Sequence, residues 1–140
     1  MNHTIIDARK ALAAQPFSRL IGAELTQYAS ERVELRVPIT DAVKQQYGFV
    51  HGGIVSYAAD NALTFAASTA LGTSILTSEY KINYLRPATG DWLIARAWVV
   101  HAGKRQAACR CDVFFTRIGE ELLCAIAQGT ITLAGKLDNA

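Results

Sequence analysis

The stretch GGIVSYAADNALTFAASTAL, Gly52 to Leu71, has no proline and one charged side chain, Asp60. It is rich in alanine, the strongest helix former, and Gly72 follows it as a C-terminal stop. A helix over this stretch is about 28 Å long. Its apolar residues are not confined to one stripe, which predicts a central helix enclosed on most sides. Ser56, Asp60, Thr64 and Ser68 are spaced by four and form one row along it. A polar row on a buried helix needs a polar destination: a solvent-filled cleft, a partner surface or structural hydrogen bonds.

Working outward, HTIIDARKALAAQPF reads as a shorter helix. Thr4 and Asp7 resemble a capping pair, Ile5, Ala8 and Leu12 share a face, and Pro16 is expected to end it. Gly22 marks a turn. AELTQYA and RVELRVPI then read as a hairpin, with Val33, Leu35 and Val37 alternating with Glu34 and Arg36. Residues 40–50 read as a loop. After the long helix come four strand-like runs separated by Pro87 to Gly90, Ala102-Gly103 and Ile118-Gly119. Their short connections predict an antiparallel meander. The expected architecture is α+β: a single domain, residues 1–140, with one antiparallel sheet wrapped around one long helix. The polar tail KLDNA is expected to fray.

The bulk numbers bound the function. A length of 140 residues suits one domain, and one so short builds a deep cleft most easily by oligomerising. The 14 basic and 12 acidic residues leave a net charge of +2, too balanced for a nucleic-acid partner. The three cysteines, Cys109, Cys111 and Cys124, are odd in number and lack a Cys-x-x-Cys knuckle, so neither a disulfide framework nor a metal site is expected. They read as small core residues. His101 reads as a surface or structural residue. Trp92 and Trp98 share a strand face and read as sheet packing. No run is long and apolar enough to span a bilayer, and charges interrupt the N-terminal apolar run, so a cytoplasmic location without a membrane partner is expected.

The chemistry centres on Asp60. Its bland reading is a structural carboxylate hydrogen-bonded by Thr64 or a nearby loop. Its company favours a working one. His51, Gly52 and Gly53 stand where the helix begins, and the first N–H groups of a helix have no helical acceptor. Glycine admits a ligand close to them, and the positive dipole end suits a developing oxyanion. A carboxylate can act as base or nucleophile. Oxyanion donors and a carboxylate are the minimum equipment for acyl transfer. However, seven residues separate Gly53 from Asp60, about 10 Å along one helix. Two copies of the helix, antiparallel across a two-fold axis, place the start of one against the middle of the other. That predicts a composite site in a homodimer.

Gln45, Gly48, His51, Gly52, Gly53 and Asp60, together with the later run YKINYLRPA, resemble the signature of hotdog-fold acyl-CoA thioesterases. The resemblance is to the PaaI-like group, which includes phenylacetate-pathway and 4-hydroxybenzoyl-CoA types, and it covers nearly the whole chain. It implies an acyl-CoA substrate, no separate cofactor since coenzyme A belongs to the substrate, and a homodimer assembled into a dimer of dimers (a homotetramer). It implies that Asp60 is the base or nucleophile and that Gly53 or Gly52 N–H polarises the thioester carbonyl. It implies that Gln45 and His51 support that loop or contact the carbonyl, and that Gly48 and Gly52 are substrate-binding. Thr64 and Thr77 match hydroxyl positions that orient the acid or water. Many members carry Asn where Gln45 stands. In that setting Arg86, Lys104 and Arg105 are expected to hold coenzyme A phosphates. Tyr57, Leu63, Phe49 and Tyr80 are expected to shape the acyl pocket. The competing reading is a non-catalytic hotdog protein that binds acyl-CoA or an aromatic ligand; Asp60 beside a clear helix start speaks against it.

Overall fold

Thr4 accepts from the Asp7 N–H and Asp7 reaches back to the Thr4 N–H, so a complete capping box opens the first helix, α1 (Ile5–Ala13), in the computed structural model of the chain. The structure describes residues 4–135; the tail 136–140, expected to fray, lies outside them. Pro16 does end α1, but it also occupies the first turn of a second helix, α2 (Pro16–Ile21), which the sequence pattern did not suggest. A proline is tolerated there because its missing N–H has no helical acceptor to lose. Gly22 closes α2 with φ +76°, a left-handed cap that glycine adopts without strain.

The strands are β1 (Glu24–Ala29), β2 (Arg32–Pro38), β3 (Ile75–Tyr84), β4 (Trp92–Ala102), β5 (Gln106–Arg117) and β6 (Glu120–Leu133). Between β2 and β3 lie a 3₁₀ turn at Asp41–Val43 and the long helix α3 (Gly52–Leu71). The six strands form one antiparallel sheet in the order β1-β2-β4-β5-β6-β3. This corrects the simple meander. Strands β4, β5 and β6 do follow one another, but β3 pairs with β6 at the far edge, and β2 takes the place beside β4. The segment after β3 explains the crossing: Leu85 and Arg86 N–H groups both donate to the Cys124 carbonyl on β6, which ties the exit of β3 to that strand.

Helix α3 lies across the inner face of the sheet. Its Val55, Ala58, Ala59, Ala62, Leu63, Phe65, Ala66 and Ala67 are buried against Val33, Leu35 and Val37 of β2, Leu93, Ala95 and Ala97 of β4, and Cys109, Cys111 and Val113 of β5. Alternation with a period of two selects these strand residues. The alanines let the helix sit close to the strands, and large side chains such as Leu63 fill the rest. The three cysteines are free thiols buried in this core. Burial raises Cys109 and Cys124 from an ordinary 9.0 to about 11, and raises Cys111 further.

Trp92 and Trp98 sit half-buried on the outer face of β4, where the Arg36 guanidinium covers the Trp92 ring at 3.9 Å. Arg96 bridges Glu34 and Glu121 on the same face. Among the described residues no helix is long and apolar enough to cross a membrane.

Candidate active site

The polar row of α3 faces β3, and the two run as a ladder. Tyr84 donates its hydroxyl to the Gly52 carbonyl (3.1 Å), and the Tyr80 hydroxyl lies 2.9 Å from Ser56 Oγ. Thr77 Oγ1 donates to Asp60 Oδ1 at 2.7 Å. Thr64 Oγ1 donates to the Asp60 carbonyl (2.9 Å) and lies 3.3 Å from Thr77 Oγ1. Ser68 ends the row against Tyr28, whose hydroxyl lies 2.7 Å away.

A strand of unbroken alternation could not build this ladder, because Thr77 and Tyr80 are three residues apart. A bulge between Thr77 and Glu79 supplies the extra residue, Ser78, so that both side chains turn to the helix.

The destination of the polar row is therefore an edge strand, and Asp60 is its only charge. The bland reading named Thr64 as partner of the carboxylate. The structure assigns that bond to Thr77 and gives Thr64 to the backbone carbonyl instead. Asp60 is half-buried, and its Oδ2 has no partner among the described residues. Burial pushes the Tyr80 phenol up to about 12, while its bond to Ser56 acts the other way and the Tyr84 and Asp60 charges add to the rise. Tyr80 therefore stays a neutral hydroxyl.

At the helix start, His51 is the N-cap: its Nδ1 accepts from the Gly53 N–H at 2.9 Å. An accepting Nδ1 puts the proton of the neutral ring on Nε2. This alters the expectation for Gly53. Its N–H is already engaged, and the Gly52 N–H is the helix-start donor without an acceptor among the described residues. Gly53 has its own steric reason, since a Cβ there would sit 3.0 Å from His51 Nδ1.

The preceding loop is held by Gln45. Its backbone N–H donates to the Phe49 carbonyl, and its side-chain oxygen accepts from the Tyr47 N–H, leaving the amide NH₂ unpartnered among the described residues. Gly48 turns this loop at φ +88°. Nothing lies within 4 Å of a Cβ there, so backbone conformation and not crowding calls for glycine.

The three basic residues do not converge. Arg86 follows the end of β3 and bonds to Cys124, whereas the Arg105 carbonyl accepts from Leu133 at the other end of β6. Ile75 pairs with Leu133 and Tyr84 with Ala125, so the two ends are about 30 Å apart. One chain cannot bring Arg86, Lys104 and Arg105 onto one phosphate group.

A cavity of about 640 Å³ opens between α1, α3 and the start of β3 and reaches the polar row at Thr64, one helical turn from Asp60. Thr64, Phe65, Asn61, Ile75, Ala8 and Gln15 are among its lining residues. None of Tyr57, Leu63, Phe49 and Tyr80 is among the residues lining this cavity. Leu63 is fully buried in the core, Phe49 is on the exposed loop, and the Tyr57 and Tyr80 hydroxyls are tied to Ser18 and Ser56. The contribution of α1 and Gln15 was not visible in the sequence, because nothing in the chain's order places residue 15 beside residue 61.

The comparisons agree with this geometry. A match to the thioesterase superfamily covers residues 47–120, more than half the chain, with all of α3 and β3 inside it. The chain is 36% identical to a thioesterase family protein from Silicibacter pomeroyi, whose crystal structure superposes with a TM-score of 0.85 over 89% of this chain and 93% of that one. It is 25% identical to the 1,4-dihydroxy-2-naphthoyl-CoA hydrolase of Listeria monocytogenes over 83% of this chain and 94% of that protein. The PaaI protein from the phenylacetic acid degradation operon of E. coli, at 21% identity, shares the fold with a TM-score of 0.83 over 91% of each chain. A six-stranded antiparallel sheet around one long helix is the hotdog fold of these neighbours. With a carboxylate held on that helix and an open amide donor, the Gly52 N–H, at its start, the chain belongs to the thioesterase superfamily and is a thioester hydrolase.

Proposed function

We propose that the chain hydrolyses an acyl-CoA to a free acid and coenzyme A, in a site shared by two protomers. The observation that carries this is the Thr77–Asp60 bond, which fixes one carboxylate oxygen and leaves the other open. Asp60 Oδ2 takes a proton from water as the water oxygen attacks the thioester carbonyl carbon, or attacks that carbon itself, in which case a water hydrolyses the resulting acyl–Asp60 anhydride after the thiolate has left and frees the acid and the carboxylate. The carbonyl oxygen gathers negative charge at the Gly52 N–H of the partner's helix start, next to its dipole end. Collapse breaks the C–S bond, and the thiolate leaves and takes up a proton. Thr64 backs Thr77. His51 and Gln45 hold the donor loop and offer Nε2–H and amide N–H groups toward the carbonyl.

The shared site is supported by two features of the single chain. Asp60 and its own helix start are about 10 Å apart on one rigid helix. In addition, β3 is a sheet edge whose outward N–H and C=O groups are open to pairing with another strand. A second β3 added antiparallel there brings the partner's Gly52, His51 and Arg86 toward Asp60, Lys104 and Arg105 of the first chain. The basic residues that one chain separates would then flank one coenzyme A. A dimer of dimers, a cytoplasmic setting suited to three unpaired thiols, and no cofactor beyond the substrate's own coenzyme A complete the proposal.

The test is a screen of short, medium, long and aromatic acyl-CoAs with thiol release as readout, using wild type and Asp60→Asn. A loss of roughly 10²–10⁴ in turnover is expected. Equal rates for the two proteins would rule out this mechanism.

A further inference from the structure

Gln15, Ser18, Tyr57 and Asn61 form a closed ring of neutral hydrogen bonds next to the catalytic acid. Ser18 Oγ donates to Gln15 Oε1 at 2.6 Å. That spends the only proton of Ser18, so in the contact between Ser18 and Tyr57 the phenol is the donor. Asn61 Nδ2 then donates once to Gln15 Oε1 and once to the Tyr57 oxygen, both at 3.0 Å. The ring is braced by Phe17, whose ring meets Tyr57 edge-on at 5.2 Å. Burial raises the Tyr57 phenol above its ordinary range, with the Ser18 and Asn61 bonds acting the other way, which keeps it protonated.

Counting donors and acceptors shows what the ring leaves over. Both Asn61 N–H groups are used, so its Oδ1 remains as an acceptor. The Gln15 oxygen is used twice, so its Nε2–H₂ remains as a donor. Neither has a partner among the described residues, and both residues line the 640 Å³ cavity that reaches Thr64. Flipping one amide alone would set donor against donor or acceptor against acceptor; flipping both reverses every bond of the ring, and either way one amide is left as a donor and the other as an acceptor. The rest of the lining includes Ala8, Phe65 and Ile75, and its one charged residue is the acidic Asp7.

We infer that Gln15 and Asn61 are specificity residues that select an uncharged acyl group carrying a hydroxyl. A hydroxyl is the group that donates to Asn61 Oδ1 while accepting from Gln15 Nε2. An acyl group ending in a carboxylate meets an acceptor and no cation, and a plain hydrocarbon leaves both amides unpaired. This rests on the thioesterase reading above and adds the acyl class to it.

The experiment uses the full chain and matched thioesters: benzoyl-CoA against its 2-, 3- and 4-hydroxy forms, and octanoyl-CoA against 3-hydroxyoctanoyl-CoA. Wild type is expected to favour at least one hydroxylated member by about 10- to 100-fold in kcat/KM. Gln15→Met and Asn61→Leu are expected to bring that pair to within about threefold. If wild type cleaves the pairs without preference, or if folded variants keep the preference, the inference is wrong while the thioesterase reading stands. If wild type cleaves no thioester at all, the thioesterase reading falls first. Calorimetry of the free acids on wild type needs no variant to fold: the hydroxy acid must bind about tenfold more tightly than its parent, and equal affinity overturns the assignment.

Discussion

Thr77 Oγ1 and Asp60 Oδ1, 17 positions apart in sequence, are joined at 2.7 Å across the gap between an edge strand and the central helix. A hydrogen bond to a charged group is worth about 1.5–3 kcal/mol. Here its use is to aim the carboxylate. Thr77→Val keeps the shape and removes the donor, and is expected to lower kcat about 10- to 100-fold. Thr77→Ser should retain most activity. Steady-state kinetics on both variants check this; a valine variant as fast as wild type would show that Asp60 needs no such aiming.

The shared site predicts complementation. Asp60→Asn and a Gly53→Val variant should each be nearly inactive alone. After subunit exchange in an equal mixture, half the dimers are mixed, and each has one intact site of two. About a quarter of wild-type activity should return. No recovery after exchange proved by mass spectrometry would count against two protomers building one site.

His51 carries a structural and a chemical duty that can be separated. His51→Ala removes the N-cap and is expected to cost about 1 kcal/mol of stability. His51→Asn should restore most of that, since asparagine caps well. Activity should stay low in both variants, because neither retains the Nε2–H donor. Denaturant melts and rate assays read the two effects independently. Full activity in His51→Asn would reduce His51 to a cap.

The buried thiols set an alkaline limit. Cys109 and Cys124 titrate near 9.0 when unfolded and near 11 in the fold, because burial disfavours the thiolate. Between those values the folded chain holds more protons than the unfolded one, so stability falls as pH rises. Their contribution is complete below about pH 8 and is lost on passing through pH 9 to 11. Urea midpoints under reducing conditions should be level near neutrality and decline across that window. Serine at both positions should make the decline shallower, with Cys111, raised further, supplying what remains.

Much of the fold was legible because it rests on local signals. Helix α3 begins and ends at Gly52 and Leu71, where glycine spacing and composition placed it. Val33, Leu35 and Val37 are buried as their alternation required. What failed was non-local. The neighbour of β3 is β6, paired across more than 40 positions of sequence, and the bonds from Leu85 and Arg86 to Cys124 extend that pairing; no local pattern records it. Helix α2 was hidden because Pro16 ends one helix and starts the next with the same missing N–H. At the site, the row Ser56, Asp60, Thr64 was readable from helical period alone. Its partners Thr77 and Tyr80 are three positions apart, a spacing that a strand's period of two does not place on one face, so the strand pattern could not reveal them together. The ring through Gln15 and Asn61 joins positions 46 apart and leaves no periodic trace.

The bulge at Ser78 gives this strand an unusual tolerance profile. Its side chain contributes one exposed bond to the Thr130 carbonyl, so its chemistry is replaceable. Its place in the count matters more. Kept in register as an ordinary strand residue, Ser78 would turn Glu79 and Lys81 to the helix and Tyr80 and Ile82 outward; bulged out, it leaves the tyrosine on the face of Thr77. Deleting it puts Tyr80 two positions after Thr77, on the same face by alternation alone. At this point of the chain, exchanges and a deletion should pass where one added residue does not.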